Sequence, residues 1–146
     1  MENKLVFNEE NHEYTLNGQK LISVTQLMRK HGLAPSYAGV STETLEAKAE
    51  RGTMIHQEIE AFNKKNEIGF TDELGQYIQY VKSNNVEITD SELKVHNDIV
   101  AGTIDLILIQ NFQPIIADIK TTYALHKDAV SWQLSIYLYL YLNNIE

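Results

Sequence analysis

Two neighbouring stretches decide the fold. They are Ala101-Gly102-Thr103-Ile104-Asp105-Leu106-Ile107-Leu108-Ile109 and, after the polar link Gln110-Asn111-Phe112-Gln113, Pro114-Ile115-Ile116-Ala117-Asp118-Ile119-Lys120-Thr121. Both are rich in β-branched residues and are joined by a short link, so they read as two strands of a hairpin. A single carboxylate, Asp105, interrupts the first run, while Asp118 and Lys120 lie two residues apart in the second. Side chains alternate between the faces of a strand, so Asp118 and Lys120 are predicted on one face. Closure of the hairpin then brings Asp105 close to Asp118.

Two buried carboxylates side by side repel each other, and a divalent cation relieves that repulsion. Hard oxygen ligands suit Mg²⁺ or Mn²⁺, as one ion or two. Lys120 beside them would position, or help to deprotonate, a water that attacks a phosphodiester. The plain alternative for Asp118 and Lys120 alone is a surface ion pair, which contributes little.

Upstream, Val86-Glu87-Ile88 and Glu92-Leu93-Lys94-Val95-His96 read as strand material. Leu74, Tyr77, Ile78 and Val81 recur at helical spacing over 71–84. A longer helix is predicted over 42–65, capped by Ser41 or Thr42. Gly52 inside it costs about 1 kcal/mol against Ala, and marks a break or a close approach by another backbone. His56 and Glu60 share a face of that helix, being four residues apart. His56 is placed to complete a metal's coordination, its nitrogen favouring Mn²⁺, with Glu60 orienting the ring or lying in solvent. His12, His31, His96 and His126 have no comparable context.

At the N-terminal end, Asn17-Gly18 between Tyr14-Thr15-Leu16 and Lys20-Leu21-Ile22 predicts a β-hairpin. Ser23 is a suitable N-cap for a short helix that stops by Gly32 and Pro35. Downstream, Val130, Leu134, Tyr137, Leu138 and Tyr141 give a final helix over 128–143. Gln133 and Tyr137 share one of its faces, and a buried amide at Gln133 needs partners. The order hairpin, helices, three strands, helix is that of an α/β (α+β) domain: a central mixed sheet flanked by helices, with an N-terminal β-hairpin.

The 146 residues suit one domain. We divide it into an N-terminal hairpin and short helix over 1–40 and a core over 41–146. Without cysteine, disulfides and thiolate-metal sites are excluded. No apolar run is long enough for a membrane span and no secretory leader is visible, so the expected location is the cytoplasm. The net charge of −8 is unusual for a nucleic-acid binder, which ordinarily presents excess Lys and Arg to phosphates. Bound divalent ions and the local field of a groove offset that total.

Taken in order, Gly52-x-x-x-His56-x-x-x-Glu60, Gly102-x-x-Asp105, Asp118-x-Lys120-Thr121 and Gln133-x-x-x-Tyr137 resemble the RecB-like branch of the PD-(D/E)XK nuclease superfamily. The likeness is to phage-type exonucleases above all, and more distantly to CRISPR adaptation nucleases. The resemblance implies a restriction-endonuclease-like core and a metal-dependent DNA exonuclease of phage recombination or replication, working inside a bacterial host cell. Asp105 and Asp118 would be acidic metal ligands, with His56 and the backbone carbonyl of Ile119 as further ones. Lys120 would be the catalytic lysine, and Gln133 and Tyr137 would flank the site. Arg51 and Thr121 would contact DNA, while Glu60 and Glu92 would stand behind the ligands.

Partners implied are DNA, a single-strand annealing protein or host protein, and a second copy of the chain. Family members continue after the Gln-x-x-x-Tyr helix into a further strand, so the last core strand is expected to be missing here. A second expectation, favoured by the −8 charge, is a catalytically weak or inactive nuclease-fold module that binds or inhibits a protein of host defence.

Overall fold

The computed structural model describes residues 4–121 and 125–143. In chain order the elements are β1 (Leu5–Asn8), β2 (Glu13–Leu16), β3 (Gln19–Ser23), α1 (Val24–Lys30), α2 (Thr42–Lys65), α3 (Asp72–Ser83), β4 (Glu87–His96), β5 (Val100–Gln110), β6 (Gln113–Ala117) and α4 (Lys127–Asn143). The strands pair in the order β1-β2-β3-β5-β4, with β6 also on β5. β3 and β5 run parallel whereas β1/β2, β2/β3 and β5/β6 are antiparallel, so the sheet is mixed. The chain is thus α/β, as expected, with helices accompanying a mixed sheet and a hairpin at the start. Asn144, Ile145 and Glu146, where a further strand would begin, lie outside the described residues.

The chain forms two compact units. The first holds β1 to α1, the end of β4, the start of β5 and α4. Its hairpin turns at Asn17 and Gly18, both at positive φ (52° and 84°), as a type I′ turn requires. Tyr14, Leu16 and Leu21 alternate inward and bury against Ala101 of β5. Ser23 caps α1 through a reciprocal capping box with Gln26, and α1 packs against α4. Gly102 is required here: a Cβ on it would fall 2.7 Å from both Tyr137 Cε1 and Val24 Cγ2.

The second unit holds α2, α3, most of β4, the rest of β5, and β6. Ser41 caps α2, whose 24 residues run unbroken through Gly52. Thr71 caps α3. The Glu58 carboxylate of α2 accepts from the amides of Phe70 (2.8 Å) and Thr71 (3.2 Å) and from the Thr71 hydroxyl, which ties the start of α3 to α2. Ile55, Ile59 and Leu74 form the core between the helices, with Phe62, Tyr77, Ile78 and Ile119 packed around them.

The strand material around 86–88 and 92–96 forms one strand, β4, the first of the three expected, with Glu92 at φ 54° inside it. One sequence expectation changes at this level. The second run of the hairpin ends at Ala117, four residues short of the predicted Thr121. Residues 118–121 leave the sheet because Ile119 turns its side chain into the helical core.

Candidate metal centre

Asp105 sits within β5, in a run of buried aliphatic residues, and is itself only 7% exposed. Such a carboxylate needs partners. One comes from the segment after β6: the Ile119 amide donates to Asp105 Oδ2 at 2.7 Å. Another is His56 on α2, whose Nδ1 lies 3.5 Å from Asp105 Oδ1 and 3.5 Å from Glu92 Oε1 of β4. The other ring nitrogen, Nε2, donates to the Ile119 carbonyl at 3.2 Å. Ile119 therefore serves three contacts: its side chain fills the helical core, its amide holds Asp105, and its carbonyl orients His56.

His56, Glu92 and Asp105 each offer one ligand atom, and those atoms lie within 4.8 Å of one another. One imidazole nitrogen and two carboxylates facing a common point can hold a metal ion, and the donor set matches those of divalent ions. The second ring nitrogen bonded to a backbone carbonyl is the arrangement that fixes a metal-binding histidine's tautomer and direction. Thr89, which precedes Glu92 on the same strand, donates its hydroxyl to the Ile107 carbonyl at 3.1 Å and ties β4 to β5 near the group.

The electrostatics reflect this concentration of charge. The pKa of His56 is raised to about 10, first by its hydrogen bond to Asp105, then by that to Glu92, with burial opposing. For Asp105 burial pushes upward, but the hydrogen bond and charge of His56 and the Ile119 amide outweigh it, and the net direction is down. Asp118 is pushed up to about 7 by burial and by the neighbouring charge of Asp105, against the pull of Lys120. Lys120 Nζ lies 2.6 Å from Asp118 Oδ2, its side chain about one-third exposed and that of Asp118 almost wholly buried.

Asp118, Lys120 and Thr121 share the second unit with His56, Glu92 and Asp105. Thr121 approaches α2 at Gly52, where an added Cβ would stand 3.3 Å from Thr121 Oγ1. The helix does not break at this glycine, and what approaches it is a side-chain hydroxyl and not another backbone. Glu60 does not reach the imidazole: its carboxylate pairs with Lys64 one turn on, at 2.9 Å. That is the ordinary fate of a Glu with a Lys at i+4. Arg51 donates to Glu73 at 2.5 Å, joining α2 to α3. Gln133 and Tyr137 belong to the first unit, where the Gln133 amide donates to the Tyr137 hydroxyl at 3.2 Å and Tyr137 is buried.

Asn63, Tyr77 and Ser91 form a bonded chain that the motifs did not include. The only trace of it in the sequence is that Asn63 follows His56 by two helical turns. No protein-family model, curated protein or solved structure matches this chain. The side-chain geometry therefore carries the functional reading.

Proposed function

We propose that this chain is a divalent-metal-dependent deoxyribonuclease, exonucleolytic in mode, using Mn²⁺ or Mg²⁺. The observation that carries this reading is the meeting of His56 Nδ1 with Glu92 and Asp105 in the same unit as the Asp118–Lys120 pair. A lone surface ion pair would need no buried partner, yet Asp118 is almost wholly buried and feels the charge of Asp105.

His56, Glu92 and Asp105 would hold the ion, the imidazole nitrogen favouring Mn²⁺ over Mg²⁺. A divalent ion there supplies charge neutralisation and Lewis acidity toward a phosphodiester. The chain's own residues do the rest. Asp118 fixes the Lys120 ammonium, and the partly exposed Lys120 offers its charge to phosphate oxygens as negative charge builds on them. Ile119 keeps His56 and Asp105 in place through its backbone amide and carbonyl. Thr121 and Arg51 would meet the DNA backbone. Arg51 would do so by exchanging Glu73, a partly exposed partner, for phosphate.

The test is cleavage of linear and circular, single- and double-stranded DNA with Mn²⁺, Mg²⁺ or EDTA, beside Asp118→Ala and Lys120→Ala. We expect metal-dependent cleavage that requires free ends and falls at least ~100-fold in both variants, the scale of losing one charge-stabilising group. Cleavage of none of these substrates by a metal-loaded chain would end the nuclease reading. It would leave the second one, a protein-binding or inhibitory module, which the net charge of −8 favours.

A further inference from the structure

Consecutive residues of a regular strand point to opposite faces. Ser91 and Glu92 of β4 do not behave this way. Ser91 Oγ accepts from Asn63 Nδ2 at 3.1 Å, and Glu92 Oε1 lies 3.5 Å from His56 Nδ1. Both partners stand on α2, two helical turns apart and therefore on one face of the helix. Two adjacent strand residues reach the same helix only if the alternation breaks between them. It does: the exposed positions are Glu87 and Thr89 before the break, but Lys94 after it, which reverses the phase. Glu92 itself is at φ 54°, a region that residues other than Gly, Asn and Asp seldom enter. An extra residue inserted at this point shifts the phase and re-aims a side chain, as β-bulges do.

The bond that holds the break is itself held. The Tyr77 hydroxyl of α3 donates to Asn63 Oδ1 at 2.7 Å, which leaves the amide nitrogen to face Ser91. Tyr77 is set in turn by an edge contact with the Phe62 ring, 6.4 Å between centroids. We infer that Asn63, oriented by Tyr77, is a positioning residue that clamps Ser91 and thereby keeps Glu92 turned toward His56 and Asp105 as a metal ligand. This rests on the metal-centre reading above and adds to it the residues that aim Glu92.

The experiment is calorimetric titration of Mn²⁺ into the chelator-stripped full chain at one pH. It compares wild type, Asn63→Ala, Ser91→Ala, the double variant and Glu92→Ala, with thermal melting of each metal-free protein alongside. Loss of a partner behind a metal ligand commonly costs about 10–100-fold in affinity. We expect that loss in Asn63→Ala and in Ser91→Ala, no further loss in the double variant because one bond is shared, and at least that loss in Glu92→Ala. A purely structural role would lower the melting temperature while leaving Mn²⁺ affinity of the folded protein unchanged. That result in both single variants overturns the positioning role and leaves the metal centre standing. A wild type that binds no Mn²⁺ overturns the metal reading and this inference with it. Should Asn63→Ala not fold, Ser91→Ala, which deletes one hydroxyl, tests the same clamp from its other end.

Discussion

Both ring nitrogens of His56 face oxygen atoms, Nε2 the Ile119 carbonyl and Nδ1 the carboxylates of Glu92 and Asp105. The doubly protonated ring is therefore favoured, and the pKa rises to about 10 in the folded chain. A histidine raised above its unfolded value of about 6.5 contributes stability that is complete below that pH and lost as pH climbs toward the folded value. Asp118, raised to about 7 from the ordinary carboxylate range, acts in the same direction over a lower window, from about pH 4 to 7. The lowered Asp105 acts oppositely, its contribution being present above the unfolded value and lost on acidification. Among these three groups, the window from about pH 7 to 10 thus isolates His56. The melting temperature of the metal-free protein should fall across it, and His56→Gln should flatten the fall. An equal slope in that variant would assign the effect to other groups. At this scale the motif spacing singles out His56, Asp105, Asp118 and Lys120, because residue type and order are sequence properties. The motifs set Asp105 in one site with His56, but not which acid meets the ring beside it. Glu60 is nearer in sequence, yet Glu92 joins Asp105 at the imidazole.

Elements are legible in the sequence where local chemistry sets them. Asn17-Gly18 turns the first hairpin, and Ser23, Ser41 and Thr71 cap their helices through side-chain oxygens that accept from backbone amides. The second hairpin shows what local chemistry tolerates. Its two turn residues, Asn111 and Phe112, are at φ 53° and 64°, and Phe112 is fully exposed. A type I′ turn wants glycine at the second position, so phenylalanine there is strained with no packing in return. Phe112→Gly should stabilise the protein by about 1 kcal/mol and raise the melting temperature by roughly 3 °C, as read by scanning calorimetry. An unchanged or lower value would show that the turn does not carry that strain. Asp118 and Lys120 meet, but not as alternate residues of a strand. β6 has already ended at Ala117, and Ile119 between them packs against the helical core.

Across the whole chain the dominant fact is a net charge of −8, to which Glu92 and Asp105 beside His56 contribute. Like charges in a compact chain repel, and the Debye length falls from about 30 Å at 0.01 M salt to about 8 Å at 0.15 M. The metal-free protein should therefore melt higher as NaCl is raised through that range, and Mn²⁺ at low salt should raise it further. A melting temperature that falls with NaCl would show that attractive pairs such as Arg51–Glu73 outweigh the repulsion. No described helix is long and apolar enough to cross a membrane. The two compact units each bury their own cluster of aliphatic and aromatic side chains.

By itself the sequence determined the α/β class, the positions of the helices and the first hairpin, and the residue types able to bind a metal. Each of these follows from periodicity, capping or donor chemistry, which act over a few neighbouring residues. Only the tertiary structure decided that β4 is one strand broken in phase at Glu92, that Ile119 leaves the sheet, and that Asn63 bonds Ser91. These outcomes depend on packing between segments far apart in the chain. A left-handed residue in mid-strand is contrary to local preference, and it stands next to Ser91, which Asn63 of α2, bonded in turn to Tyr77 of α3, contacts.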